Sequence, residues 1–403
     1  MFIADTSFFC KYTDVLDKII ERKEKIIISS LTIDELSKIK NKKNLDISYN
    51  AEKALINIEK NIQYKKYLKI DNELKNKNNN DSYIDKLIIK YKNKNCQLLS
   101  CDLANIIKAK TYEIETINPE SIFPSNIYTG TTKYQINSES IDKLYIEKKI
   151  NCNIDLIQNT YVVLENFEEN KSALCRYKNN LLYLLEANTA FGIKPKNKEQ
   201  KFCLDAIFAK DIDVVTIEGT SGSGKTLISL ASALEEVLEK ENYSKILIIR
   251  PMVAIQQNIG FLPGDKNEKL DSWYSAIWDQ IPILFDTKNK NVNFIEELKN
   301  NPKIELEAVT FLRGRSLNKY FIIIDEAQNI PPSSIKTILT RVGAETKVVL
   351  TGDSSQIDLY NYTQETNGLT ILINKFKGLD NYAHIRLAKA QRSKVCEQAV
   401  ELL

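Results

Sequence analysis

Short apolar runs, each closed by an acid, a glycine or a hydroxyl, recur along this chain. Val214–Ile217 (VVTI), Lys245–Ile249 (KILII), Phe321–Ile324 (FIII) and Lys347–Leu350 (KVVL) are, after the leading lysine of the second and fourth, continuously apolar or β-branched rather than alternating. Such runs predict strands of a parallel sheet, buried on both faces. Leu227–Leu238 instead carries apolar residues at helical spacing. Near the start, MFIADTSFF (1–9), IIIS (26–29) and QLLSC (97–101) read as three short strands, and DSYIDKLIIKY (81–91) as a helix. Between these regions the pattern weakens. Pro119, Pro124 and Gly130 interrupt it before TYVVLENF (160–167), which reads as a strand. A small β-rich connector fits the middle better than a long helix. The expected organisation is an α/β protein with an N-terminal domain over 1–115, a connector over 116–190 and a C-terminal domain over 191–403.

Composition narrows the class only slightly. The 403 residues are 43% hydrophobic and 27% charged, which excludes disordered and collagen-like chains. With 56 basic and 53 acidic residues, the net charge of +3 does not by itself argue for a nucleic-acid partner. The seven cysteines are scattered and form no CxxC pair, so neither a disulfide framework nor a structural zinc site is expected. A single histidine, His384, excludes a histidine metal cluster within one chain. The N-terminus lacks the shape of a signal peptide, and no apolar stretch is long enough to span a membrane. A reducing, cytoplasmic setting is expected.

The chemistry concentrates after Val214–Ile217. Gly219–Thr226 reads GTSGSGKT and satisfies G-x-x-x-x-G-K-[ST] at every required position, between a predicted strand and a predicted helix. Gly219, Gly222 and Gly224 let the backbone turn around a phosphate. The loop N–H groups, including those of Thr220, Ser221 and Ser223, then face its negative charge together with the helix N-terminus. Lys225 reaches the terminal phosphates, and the Thr226 hydroxyl suits Mg2+. ATP or a related nucleotide is the implied ligand. The run FIII delivers Asp325 and Glu326 at its end. Asp325 is expected to bind Mg2+ and Glu326 to polarise the attacking water. In a parallel sheet both segments leave the same edge, where ligands bind.

Weaker signals surround this pair. Thr351 and Gln356 follow the run KVVL and are placed to sense a γ-phosphate. Arg313 and Arg315 flank Gly314, with donor forks suited to phosphates. Arg386 or Arg392 could complete a neighbouring subunit's site as an arginine finger. Gln200, upstream of the loop, has a side-chain amide able to read an adenine edge.

In the N-terminal region, Asp5, Glu35, Asp81 and Asp102 each stand at a strand end or near a helix start. Converging carboxylates would hold Mg2+ or Mn2+ for phosphodiester hydrolysis. The other reading makes the acids helix caps. The residues alone leave both open.

Taken in order, GIKPKNKEQ (192–200), GTSGSGKT, GFLPG (260–264), FLRGRS (311–316), FIIIDEAQN (321–329) and LTGDSSQIDL (350–359) resemble the PIN–PhoH fusion family. ADTSF (4–8), LTIDEL (31–36), NDSYI (80–84) and SCDLANIIKAK (100–110) resemble its PIN part, with Asp5, Glu35, Asp81 and Asp102 on the four acidic positions. Ser7 stands where Asn is common, and CDLAN departs modestly from the usual pattern. HIRLAKAQRS (384–393) resembles the terminal region, making Arg392 the trans-acting candidate. Gln391 occupies the place of a usual acid. The resemblance implies a three-layer α/β PIN domain and a RecA/helicase-like P-loop NTPase domain. It further implies a metal-dependent ribonuclease joined to an ATP-driven RNA helicase or translocase, single-stranded RNA as partner, and a homo-oligomeric ring, a hexamer. Two alternatives stand beside it: an ATPase whose PIN domain only binds RNA or proteins, and an ATP-dependent remodelling or signalling switch without nucleic acid.

Overall fold

The computed structural model describes residues 1–13, 15–41, 45–72, 83–117, 128–251, 277–279, 294–309, 315–359 and 362–388. They divide into two compact units, Met1–Asn126 with Tyr360–Thr366, and Ile127–Leu359 with Asn367–Leu403.

The first unit is built on a parallel sheet of five strands: β1 (Phe2–Ala4), β2 (Ile26–Ser29), β3 (Leu68–Asp71), β4 (Gln97–Leu99) and β5 (Glu115–Ile117). Their order is β3-β2-β1-β4-β5. Alternate side chains of each strand enter opposite cores, which is what continuous apolar runs dictate. Phe2, Ala4, Ile26 and Ile28 meet the helices Thr6–Lys11, Val15–Glu21, Ser30–Lys40 and Leu45–Asn61 through Phe8, Leu16, Leu36 and Ala54. Ile3, Ile27 and Leu98 face the other way, onto Ile84, Leu87 and Ile88 of Tyr83–Tyr91 and Ala109 of Leu103–Thr111. The result is helix, sheet and helix in three layers.

The second unit holds two sheets. The connector region forms β6 (Thr131–Gln135), β7 (Lys149–Asn151), β8 (Tyr161–Asn166), β9 (Lys171–Lys178) and β10 (Leu181–Leu184), in the order β6-β8-β9-β10-β7. One helix, Ser138–Glu147, covers one face through Ile141 and Leu144. The β-rich reading did not place that helix. Its charged and hydroxyl residues, Glu139, Ser140, Asp142 and Lys143, dilute the apolar period. From the same sheet, Tyr161 and Val163 join the core beside the helix Lys198–Phe208. Tyr161 stacks on Phe202 with ring centroids 4.9 Å apart and donates to Asp205 Oδ2 at 2.8 Å. Asn159 Nδ2 donates to the carbonyls of Asp380 and Tyr382, both at 2.9 Å.

The larger sheet is parallel throughout: β11 (Val214–Gly219), β12 (Lys245–Arg250), β13 (Ile304–Ala308), β14 (Tyr320–Ile324), β15 (Lys347–Gly352) and β16 (Tyr382–Leu387). Their order is β13-β12-β14-β15-β11-β16. Val215, Ile217, Ile246, Ile248, Phe321, Ile323 and Val349 line one core, with the helices Lys198–Phe208 and Lys225–Leu234. Leu247, Ile249, Ile322, Ile324, Val348 and Leu350 line the other, against Pro332–Leu339 and Gly368–Phe376. This order puts β15 between β11 and β14, so the end of β15 lies beside both the glycine loop and the paired acids. Among the described residues no helix is long and apolar enough to cross a membrane.

Candidate active site

Residues far apart in sequence meet at the carboxyl edge of the larger sheet, as open parallel sheets require of their ligand sites. The loop leaves β11 and turns through Gly222 and Gly224 at φ of 78° and 93°. Only glycine adopts such angles without strain, which is why the loop can wrap a ligand so closely. Lys225 and Thr226 then open the helix Lys225–Leu234. Among the described residues, Thr220 Oγ1 and Ser223 Oγ are buried without a hydrogen-bond partner. Each such orphan costs about 1–3 kcal/mol, a cost that a ligand able to accept those bonds removes. Phosphate oxygens are such acceptors, so the loop fits a polyphosphate.

Lys225 Nζ donates to the carbonyls of Gly219 at 2.5 Å and Thr220 at 3.0 Å. Burial pushes its ammonium below the ordinary lysine value, while Asp353, Glu326, Asp325 and Glu218 pull it up. The charge is therefore held inside the site by carboxylates.

Asp325 Oδ1 accepts from Thr226 Oγ1 at 3.0 Å and from Thr351 Oγ1 at 2.6 Å. Two strand ends and one helix start thus converge on one carboxylate. Thr226 and Asp325 are the oxygen donors a hard divalent ion prefers. Arg250, at the end of β12, approaches Asp325 Oδ2 at 3.7 Å and Glu326 Oε1 at 3.9 Å.

Glu326 is half-buried and sits at φ 52°. For a non-glycine residue that region is sparsely populated, and surrounding bonds must enforce it. Gln328 supplies them. Its Nε2 donates to Glu326 Oε2 at 2.7 Å and to the Gln356 carbonyl at 3.0 Å, and its Oε1 accepts from Asp353 N at 3.0 Å. Burial first, then the Asp325 charge, pushes the Glu326 carboxyl above its ordinary value, against the opposing pull of Gln328, Arg250 and Lys225. A carboxylate so raised is a better proton acceptor than a free one.

Other predicted residues take different places. Gln356 reaches this network through its backbone carbonyl, with its side chain exposed. Gln200 faces the loop, donating from Nε2 to the Ser223 carbonyl at 3.2 Å. Arg386 Nε lies 3.8 Å from the buried Glu218 carboxylate on the adjoining strand. Arg315 pairs with Glu305 at 2.7 Å and Glu307 at 3.7 Å. His384 is buried against Thr216, and burial pushes its imidazole down to about 3. Asp81, Arg313, Arg392 and GFLPG lie outside the described residues.

In the N-terminal unit, Asp5 is only 1% exposed. Its Oδ1 accepts from Phe8 N at 2.9 Å and Ser7 Oγ at 2.7 Å. Its Oδ2 accepts from Ser100 Oγ at 2.5 Å and Asn105 Nδ2 at 2.8 Å. Asp102 Oδ1 caps the helix Leu103–Thr111 through Ala104 N and Asn105 N. Glu35 Oε2 accepts from Thr6 Oγ1 at 2.5 Å. One hydroxyl, Ser100 Oγ, joins Asp5 to the Asp102 backbone N–H. Among the described residues no group of three or more His, Cys, Asp or Glu side chains could hold a metal ion.

The comparisons with known proteins agree with both halves. The PhoH-like protein family matches residues 192–403, and the PIN domain family matches residues 2–120. The chain belongs to the PIN–PhoH fusion family. Protein PhoH2 of Bacillus subtilis (strain 168) is 41% identical over 213 residues, 53% of this chain and 48% of that protein. Protein PhoH2 of Thermobispora bispora is 34% identical over 214 residues, again 53% of this chain and 48% of the relative. Protein PhoH2 of Mycolicibacterium smegmatis is 29% identical over 279 residues, 68% of this chain and 62% of the relative. The chain thus spans about half the length of the first two of these PIN–PhoH relatives. The crystal structure of the UvsW helicase from bacteriophage T4 aligns at 13% identity and a TM-score of 0.29, covering 70% of this chain and 77% of that one, too low a likeness to add to the fold. A PIN–PhoH chain is accordingly a PhoH-like P-loop domain fused to a PIN domain.

Sequence reasoning on this PIN–PhoH chain missed Gln328, Arg250, Ser100 and Asn105. Gln328 stood in the quoted FIIIDEAQN, where its spacing of two from Glu326 was a usable signal. The others act over long separations, which a single sequence does not display.

Proposed function

We propose that this chain hydrolyses ATP at Gly219–Thr226, Asp325 and Glu326, and uses the energy to move along RNA. The observation that carries the hydrolysis is the set of buried loop hydroxyls, unpartnered among the described residues, beside a lysine and a braced glutamate. The loop N–H groups and Lys225 grip the phosphates. Lys225 exchanges its two carbonyl acceptors for phosphate oxygens. Glu326 takes the proton of the attacking water, held in position by Gln328. Thr226 and Asp325 are the residues that would hold Mg2+. That ion, when bound, neutralises charge shared between the phosphates.

RNA as partner, a hexameric ring with Arg392 acting in trans and a cytoplasmic setting complete the proposal. The PIN domain is proposed as a ribonuclease using Mg2+ or Mn2+ at Asp5, Glu35, Asp81 and Asp102. The described members of that set, Asp5, Glu35 and Asp102, form no metal group. One observation favours a second reading, in which the PIN domain binds RNA or protein without cutting. The oxygens of Asp5 and one oxygen of Asp102 are already taken by the chain's own donors, partly as helix caps.

The test is ATP hydrolysis and degradation of labelled structured RNA, with wild type, Lys225→Ala and Asp5→Asn side by side. RNA-stimulated hydrolysis lost in Lys225→Ala, and cleavage lost in Asp5→Asn, support the full scheme. Cleavage absent from wild type in Mg2+ and Mn2+ supports the second reading. Hydrolysis indifferent to RNA removes RNA as the partner, and mass measurement in solution with ATP tests the ring.

A further inference from the structure

A glutamine that reads adenine must present a donor and an acceptor side by side to the ligand. Gln200 presents neither freely. It lies in the first turn of Lys198–Phe208 and is 5% exposed. Its Oε1 accepts from the backbone N–H of Lys196 at 2.8 Å. Its Nε2 donates to the Ser223 carbonyl at 3.2 Å. Its own N–H is capped by Asn197 Oδ1 at 2.8 Å. A side chain on Gly224 would bring a carbon 3.1 Å from Nε2, so the amide lies directly against the loop. Turning the amide towards a base would strand a buried N–H and a buried carbonyl, each costing about 1–3 kcal/mol. Nor does the neighbouring segment offer an aromatic face for a base. Phe191 is the one aromatic residue in Ala190–Gln200, and it is 1% exposed within the core.

What the amide does grip has a mechanical consequence. A trans peptide is planar, with its C=O and N–H on opposite sides. Holding the Ser223 carbonyl therefore aims the Gly224 N–H away from Gln200. The following residue is a glycine at φ 93°, so the Ser223–Gly224 peptide has little intrinsic resistance to flipping. A flipped peptide would put a carbonyl where the phosphate needs a donor.

We propose that Gln200 is a positioning residue for the phosphate loop, and that the site selects a triphosphate with little regard for its base. This rests on the nucleotide-hydrolysis reading above. Its distinguishing prediction concerns a ligand with no base at all.

The full chain would be titrated calorimetrically, with Mg2+ present, against ATP, GTP, CTP, UTP and inorganic tripolyphosphate. The proteins are wild type, Gln200→Ala and Gln200→Glu. Wild type should bind the four nucleotides within about tenfold of one another, a spread of 1.4 kcal/mol. Gln200→Ala should weaken all five ligands by a common factor of about tenfold, the size of one lost hydrogen bond to a buried carbonyl. The melting temperature of the ligand-free protein should fall as well, because Gln200→Ala strands the Lys196 N–H and the Ser223 carbonyl, so the deciding readout is a loss shared by all five ligands, tripolyphosphate included. Gln200→Glu keeps the shape and the acceptor for Lys196 N but removes the donor to Ser223. It should reproduce the common loss even where the alanine variant folds poorly. A loss confined to ATP, with tripolyphosphate and GTP unchanged, would overturn the inference and leave the hydrolysis reading intact. Failure of wild type to bind any of the five would remove both.

Discussion

The two candidate sites differ in how their polar atoms are satisfied. Around the glycine loop the fold leaves buried hydroxyls of Thr220 and Ser223 unpartnered among the described residues, and holds Lys225 on backbone carbonyls. Around Asp5 the fold does the opposite. Four protein donors, from Ser7, Phe8, Ser100 and Asn105, occupy both carboxylate oxygens. Buried polar groups without partners are costly, and a ligand that accepts from them would remove that cost. A carboxylate saturated by its own chain is stable without one. The same residue class, acid at a strand end, is the proposed seat of chemistry at Asp325 and Glu326, and accepts bonds from its own chain at Asp5 and Asp102.

The largest expected effect breaks the loop site. Lys225→Ala should lower ATP hydrolysis by roughly 100- to 1000-fold, the size seen when one preorganised donor to a transition state is lost. Phosphate release at saturating ATP measures it. A rate within a few-fold of wild type would remove Lys225 from the mechanism.

Next in size is the brace on Glu326. Gln328→Ala frees the carboxylate that Gln328 holds at 2.7 Å and releases Asp353 N. The expected loss is about tenfold to 100-fold in kcat with KM little changed, since the bond positions a reacting group rather than binding substrate. An equal rise in KM with kcat intact would make Gln328 part of the binding surface instead.

The acid limb of the pH–rate profile sharpens the same point. Glu326 must be ionised to accept a proton, and burial holds its carboxyl above the ordinary value. Activity should therefore fall, as pH decreases, at a higher pH than an ordinary glutamate would give. Replacing Arg250 by Gln removes a group that lowers this value and should shift the limb further up. A limb unmoved by that change would assign the titration to another group.

The smaller effects test the N-terminal side. Asp5 caps Thr6–Lys11 through Phe8 N. Asp5→Ala should cost about 1 kcal/mol or more of stability, and Asp5→Asn, which keeps the cap on Phe8 N but turns an NH2 towards Asn105 Nδ2, should recover only part of it. Denaturant melts of the two variants settle the architectural role. Smallest is the effect of Glu326→Gln on stability. The Glu326 carboxyl is raised in the folded state, so its ionised form is disfavoured there. Above that raised value the charge destabilises the fold, and below the unfolded glutamate value it contributes no such penalty. Glu326→Gln should thus melt slightly higher than wild type at neutral pH, with the gain fading in acid.

Much of this fold was legible from apolar runs. Strands β11, β12, β14 and β15 are buried on both faces, and their sequences are apolar without alternation. The loop was legible because glycines, lysine and threonine at fixed spacing have few other uses. What the sequence hid depends on tertiary approach. Thr226 and Asp325 are 99 positions apart, and Asp5 and Asn105 are 100 apart. No local period reports such pairs. Gln200 shows the same limit from the other side: its residue type suggested a base reader, but only the fold reveals that its amide is turned onto Ser223.

The most direct measurement is a single-turnover experiment on Glu326→Gln and wild type, recording bound ATP and released phosphate in the same sample. Both proteins should hold ATP, wild type should release phosphate, and the variant should retain intact ATP with release slowed by roughly 100-fold or more. Release from the variant at the wild-type rate would contradict Glu326 as the proton acceptor.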